Sequence, residues 1–180
     1  MYNYFSPEEF KNFPRRPRPV QAYLLEFLQR TLNIIRGTID SPIRITDCYR
    51  TLKKYKSLKK RGYFPSATSD HFWAQVIPTI KKQNKIKYGP YFIYSAGAVD
   101  FVTPRFDINK CYEEIRKLYR RGTIKIGQAI LESGGGRRPW IHLSNPRQLI
   151  FTSDLLYRVG AIKNTFLIST DGGKTYKRAA

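Results

Sequence analysis

Leu24, Leu25, Leu28, Leu32 and Ile35 recur at three- and four-residue spacing, which predicts a helix over residues 20–36 with Gly37 as its left-handed stop. Asp107 or Asn109 can cap a second helix over about 110–121, which turns Ile115, Leu118 and Tyr119 inward and ends at Gly122. After Pro42 the period changes. The run 43–49 alternates apolar and polar side chains, as a strand does. Further strands are predicted at 98–102, 124–132 and 139–144, the last two joined through the glycine-rich tip 133–138. Residues 166–170 and 174–177 flank Asp171-Gly172-Gly173, a hairpin signal, within a C-terminal segment 160–180 that completes the edge of the sheet. Weaker signals mark a strand at 91–94, a helical turn at 155–159 and a short basic helix closed by Gly62. Residues 1–19 are a lead-in: 6–9 open one helical turn, and Pro14, Pro17 and Pro19 force extended backbone. The pattern gives one α+β domain, an antiparallel sheet with two main helices packed on it.

Composition narrows what such a domain can do. At 180 residues, with 41% hydrophobic and 14% aromatic side chains, the chain is too apolar for a disordered basic tail. It has no apolar run of the roughly 18 residues that a membrane span needs. The segment 1–13 carries Glu8 and Glu9 and lacks the layout of a signal peptide, so synthesis in the cytoplasm is expected. Cys48 and Cys111 lie in apolar segments without CxxC spacing and read as buried free thiols. The formal charge of +20 creates a field that gathers polyanions: nucleic acid, anionic lipid headgroups or an anionic bacterial wall. Its densest part, Lys53-Lys54-Tyr55-Lys56-Ser57-Leu58-Lys59-Lys60-Arg61, is equally a solvated basic face, and no zinc-finger, homeodomain or helix-turn-helix pattern accompanies it.

The chain has only two histidines, His71 and His142. Neither has a nucleophile elbow nearby, and Gly134-Gly135-Gly136 opens no helix of the kind that cradles phosphate. A metal site fits better. A hydrolytic zinc ion takes three protein ligands and keeps one position open, and His71, Asp100 and His142 could supply three. Asp100 stands inside Ala98-Val99-Asp100-Phe101-Val102, an otherwise apolar strand where a lone carboxylate is costly, so a cation or a metal belongs beside it. Alternation along Trp140-Ile141-His142-Leu143-Ser144 puts Trp140, His142 and Ser144 on one face. The bland alternative is a loop histidine, a strand histidine and an aspartate paired with one of 33 cations.

Thr46-Asp47-Cys48-Tyr49-Arg50-Thr51, Ser69-Asp70-His71, Gly97-Ala98-Val99-Asp100, Ile130-Leu131-Glu132 and Trp140-Ile141-His142-Leu143-Ser144 follow one another in that order. Together, over residues 43–146, they resemble the zinc D-Ala-D-Ala peptidase family, which contains VanX-type dipeptidases and phage endolysin peptidases. They are most similar to the short versions carried by small tailless phages of the microvirus type. The resemblance implies the hedgehog/D-Ala-D-Ala metallopeptidase fold, a bound Zn²⁺, and cleavage of a peptide stem in peptidoglycan as carboxypeptidase or endopeptidase. It implies action at the cell wall or on the virion. His71, Asp100 and His142 fall on the metal ligands. Arg50 falls on an arginine that contacts substrate and steadies negative charge, Ser69 on a serine near the substrate, and Trp140 on the tryptophan before the last ligand. Glu132 resembles the glutamate that serves as general base toward water and acid toward the leaving amine.

Two departures stand out. His71 and Asp100 are 29 positions apart, where the family has a handful, so 72–96 is expected to be an insertion that leaves and returns beside the metal, with Trp73 and several tyrosines as a wall over the cleft or as decoration. Many relatives place glutamate three residues before the last histidine, where this chain has Pro139. Glu132 must then return through the glycine tip, with Asp70 as the second candidate base. The alternative function is a basic nucleic-acid binder, or an inactive wall binder, on the same fold.

Overall fold

The computed structural model describes residues 4–10, 12–61, 70–73, 82–83, 86–87, 96–146 and 165–179. Ser69, Gly62, the predicted strand at 91–94, the predicted turn at 155–159 and most of 72–96 lie outside them.

Helix α1, Pro19–Ile39, starts where proline at the first position costs no hydrogen bond, and the Gln21 side chain accepts from the Arg18 N–H at 3.0 Å. Pro19 is therefore helical rather than extended. Gly37 does not stop the helix. Ile39 continues the stripe of Leu28, Leu32 and Ile35 into the core, and Asp40 takes the left-handed end at φ 45°. Helix α2, Leu52–Lys60, is the basic run, capped by Thr51 Oγ1 accepting from Lys54 N. Helix α3, Ile108–Arg120, is capped by Asp107, which accepts from Lys110 N at 2.8 Å. It buries Ile115 and Leu118, whereas Tyr119 is 37% exposed, its ring edge-on to Phe166.

The strands are β1 (Arg44–Asp47), β2 (Lys82–Gln83), β3 (Ile86–Lys87), β4 (Ala98–Val102), β5 (Gln128–Gly134), β6 (Arg137–Ser144), β7 (Phe166–Ser169) and β8 (Lys177–Arg178). Strands β2 and β3 form a small ladder of their own, and the other six join in the order β1-β4-β6-β5-β7-β8. The expected all-antiparallel sheet is corrected here: β7 runs parallel to β5, Ile130 beside Leu167 and Glu132 beside Ser169, so the sheet is mixed. The hairpin at 133–138 tightens to a turn at Gly135 and Gly136, and β5 begins only at Gln128 although Ile124 and Ile126 ahead of it are buried.

Alternation divides the sheet into two faces. Val99, Phe101, Ala129, Ile141 and Leu143 are buried with the apolar stripes of α1 and α3 in the core. Phe5 and Phe10 of the lead-in join this core, and the Tyr4 N–H binds Asn33, so the lead-in from Tyr4 onward packs as part of the domain. Cys48 and Cys111 are buried and free, as expected. The opposite face carries Asp100, His142, Ile130 and Glu132. Among the described residues no helix is long and apolar enough to cross a membrane.

Candidate metal centre

Register builds most of the site. Asp47, Asp100, His142 and Ile130 occupy one row across β1, β4, β6 and β5, with a bulge in β1 that re-aims Asp47. Directly paired residues share a face, so Asp100 and His142 meet side by side. His71 comes from a single 3₁₀ turn, Asp70–Phe72, and meets the two middle members of this row, Asp100 and His142. Its backbone is gripped by Arg50 N donating to His71 O at 2.8 Å. Its ring Nδ1 faces the Cys48 carbonyl at 2.7 Å.

Three ligand atoms converge. His71 Nε2 lies 3.1 Å from Asp100 Oδ1 and 3.1 Å from His142 Nδ1, and His142 Nδ1 lies 2.9 Å from Asp100 Oδ1. A carbonyl only accepts, so the contact with Cys48 places the neutral His71 proton on Nδ1 and leaves Nε2 with a lone pair. Two imidazole nitrogens and a carboxylate oxygen then point at one another with too few protons between them. That is the arrangement a cation resolves, and the His71–carbonyl contact is the usual way a ligand histidine is oriented. Ligands about 2.1 Å from a tetrahedral ion stand about 3.4 Å apart. The triangle here is slightly smaller and would open a little around an ion. His71, Asp100 and His142 could therefore hold a metal ion. Burial pushes the Asp100 carboxyl up, but the two histidines, through charge and hydrogen bonds, hold it well below the usual carboxylate range.

Around this triangle the other expected residues fall as follows. Glu132 is on the same face, two residues along β5 from the row, and is 9% exposed. Burial and the nearby Asp100 charge push its carboxyl up to about 7, against the pull of His142, Arg137 and Arg50. Trp140 stands opposite Glu132 in register, with the Arg137 guanidinium 5.0 Å from its ring centroid. Arg50 is buried and reaches Asp47 Oδ2 at 3.1 Å, while Lys54 reaches Asp47 Oδ1. Asp70 is buried, and its Oδ1 accepts from the Ala96 N–H at 3.4 Å, which ties the His71 turn to the start of β4.

Trp73 is not a wall over the cleft. It is fully buried beneath the His71 turn, donates from Nε1 to the Cys48 carbonyl at 3.1 Å, and lies against Gly97, where an added Cβ would stand 2.6 Å from the indole. The two ends of the 72–96 segment thus touch. Sequence reasoning missed three contributors. Asp47 lies within a quoted motif but had no assigned role. Gly173 and Tyr176, from the C-terminal hairpin, flank Glu132, and no local pattern places them there. Comparisons with family models, with curated proteins and with solved structures found no match to this chain.

Proposed function

We propose that the chain is a zinc-dependent peptidase of the D-Ala-D-Ala type, on the hedgehog-like peptidase fold, that hydrolyses a peptide bond in bacterial peptidoglycan. The observation that carries this reading is the convergence of three metal-ligand atoms beside a carboxylate whose proton affinity is matched to neutral pH. The choice of peptide stem as substrate rests on the ordered motifs in residues 43–146, and so does a phage origin with action at the wall or on the virion.

A divalent ion held by His71, Asp100 and His142 would polarise a carbonyl and lower the pKa of water toward 7. The residues do the rest. Glu132, ionised above about pH 7, takes a proton from the attacking water as the new C–O bond forms. It returns that proton to the amine nitrogen as the C–N bond breaks, so one water is consumed and no other reagent is needed. Arg50 steadies the developing oxyanion or a substrate carboxylate with its fixed charge. Trp140, opposite Glu132 in register, lines the substrate's path, and the resemblance gives Ser69 a role near the substrate. Asp70 is tied to Ala96 N–H, which favours Glu132 as the base.

The test is digestion of purified peptidoglycan by the zinc-loaded protein, with products identified by mass. Release of peptide fragments that stops on chelation and in Glu132→Gln is the expected result. Zinc-loaded protein that leaves peptidoglycan intact contradicts the reading. One observation favours a second function, polyanion binding: α2 exposes Lys53, Lys56, Lys59 and Lys60 together.

A further inference from the structure

The C-terminal hairpin approaches the site more closely than the edge of a sheet needs to. Strand β7 brings Ser169 alongside Glu132, and the chain then reverses through Asp171, Gly172 and Gly173 before reaching Tyr176. Asp171 knots this reversal. Its Oδ1 accepts from Ser169 Oγ at 2.9 Å, Lys174 N at 3.0 Å and Thr175 N at 3.0 Å, and its Oδ2 accepts from Thr175 Oγ1. Those donors hold the Asp171 carboxyl well below the usual carboxylate range. Ser169 Oγ also accepts from Gly173 N at 2.9 Å, and Gly172 N donates to Ser133 O at 2.8 Å, so the loop is fastened to β5 as well as to itself.

The loop is fastened so that Gly173, at φ 86°, rests on Glu132. A Cβ there would stand 2.9 Å from Glu132 Oε2 and 3.0 Å from the Tyr176 hydroxyl. The carboxylate and the phenol therefore flank one point, and only glycine leaves that point empty. Tyr176 is 46% exposed, so its side chain is open to an incoming molecule while its hydroxyl borders the buried carboxylate.

We propose that Tyr176 is a further catalytic residue of this cleft, its phenol O–H donating a hydrogen bond to the carbonyl oxygen of the peptide group that Glu132 serves. The bond strengthens as that oxygen gains charge, and no proton leaves Tyr176, so the stoichiometry of hydrolysis is unchanged. Burial and the charges of Glu132 and Asp100 push the phenol's ionisation up to about 12, which keeps it a donor throughout the working range. The C-terminal hairpin is then the far wall of the site, and Gly173, having no side chain, lets the Tyr176 hydroxyl and the Glu132 carboxylate stand close to each other.

This role rests on the peptidase reading above, and the experiment separates the two. Wild type, Tyr176→Phe and Gly173→Ala are loaded with zinc and assayed for zinc content, for kcat and KM on a D-Ala-D-Ala peptide, and for affinity to its phosphinate analogue, whose tetrahedral anion mimics the charged oxygen. In Tyr176→Phe, kcat and phosphinate affinity should each fall about tenfold to a hundredfold, with zinc content and KM unchanged. Gly173→Ala, which forces both side chains apart, should lose at least as much. A wild type that cuts, with a Tyr176→Phe that matches it in kcat and phosphinate affinity, overturns the role of Tyr176 alone. A zinc-loaded wild type that neither cuts the peptide nor binds the phosphinate overturns the peptidase reading and this contact with it.

Discussion

Glu132 is an expensive residue to keep where it is. Its carboxyl is raised from 4.5 to about 7 in the folded chain. Between those values the folded state binds more protons than the unfolded state, so stability falls as pH rises through that window, and the whole cost is present above about pH 7. Glu132→Gln mimics the protonated form. The metal-free variant should therefore be more stable than metal-free wild type at pH 8, by on the order of 2 kcal/mol, and similar to it at pH 4. Denaturant unfolding at the two pH values measures this, and equal stability at both would mean that Glu132 is not strained by ionisation. At this scale much was legible. A charged residue inside an apolar strand marked Asp100, alternation put His142 and Trp140 on one face, and a chain with two histidines leaves little choice of ligands. Tyr176 was not legible, because what makes it interesting is a neighbour 44 positions earlier in the chain that only the β5–β7 pairing brings close.

At the scale of elements, support for the centre comes from beneath it. Trp73 and His71 both point at the Cys48 carbonyl, and Gly97 leaves the room Trp73 occupies. Gly97 is also at φ 84°, so Gly97→Ala meets both backbone strain and the indole ring. We expect it to weaken metal binding by tenfold or more by shifting the His71 turn, while the far-UV circular dichroism of the helices stays near wild type. Unchanged metal affinity would show that the His71 turn is held independently of Trp73. Capping is local enough to predict outright: Asp107→Ala should cost about 1 kcal/mol in denaturant unfolding. The two main helices were visible as periods of three to four, and five of the strands, β1, β4, β5, β6 and β7, as alternating or short apolar runs between turn signals. What escaped was decided by distant partners. Burial of Ile39 carries α1 past Gly37, and the parallel pairing of β7 with β5 has no signature in either strand, because both read as short apolar runs whichever way they pair.

For the molecule as a whole, the charge of +20 and the candidate metal centre are separable. On α2, Lys53, Lys56, Lys59 and Lys60 are exposed, while Lys54 is engaged with Asp47 next to Arg50. Reversing these four exposed lysines to glutamate should weaken binding to a polyanion and lower the slope of log affinity against log salt by about one for each cation that touches it, without altering zinc content. A slope that does not change would move the polyanion surface off α2. The central claim is the metal centre, and elemental analysis of the purified chain tests it most directly, with Asp100→Ala and His142→Ala measured beside it. The account predicts about one zinc per wild-type chain and none in either variant. Wild-type protein that takes up no zinc after it is added back, or variants that hold as much as wild type, would contradict it.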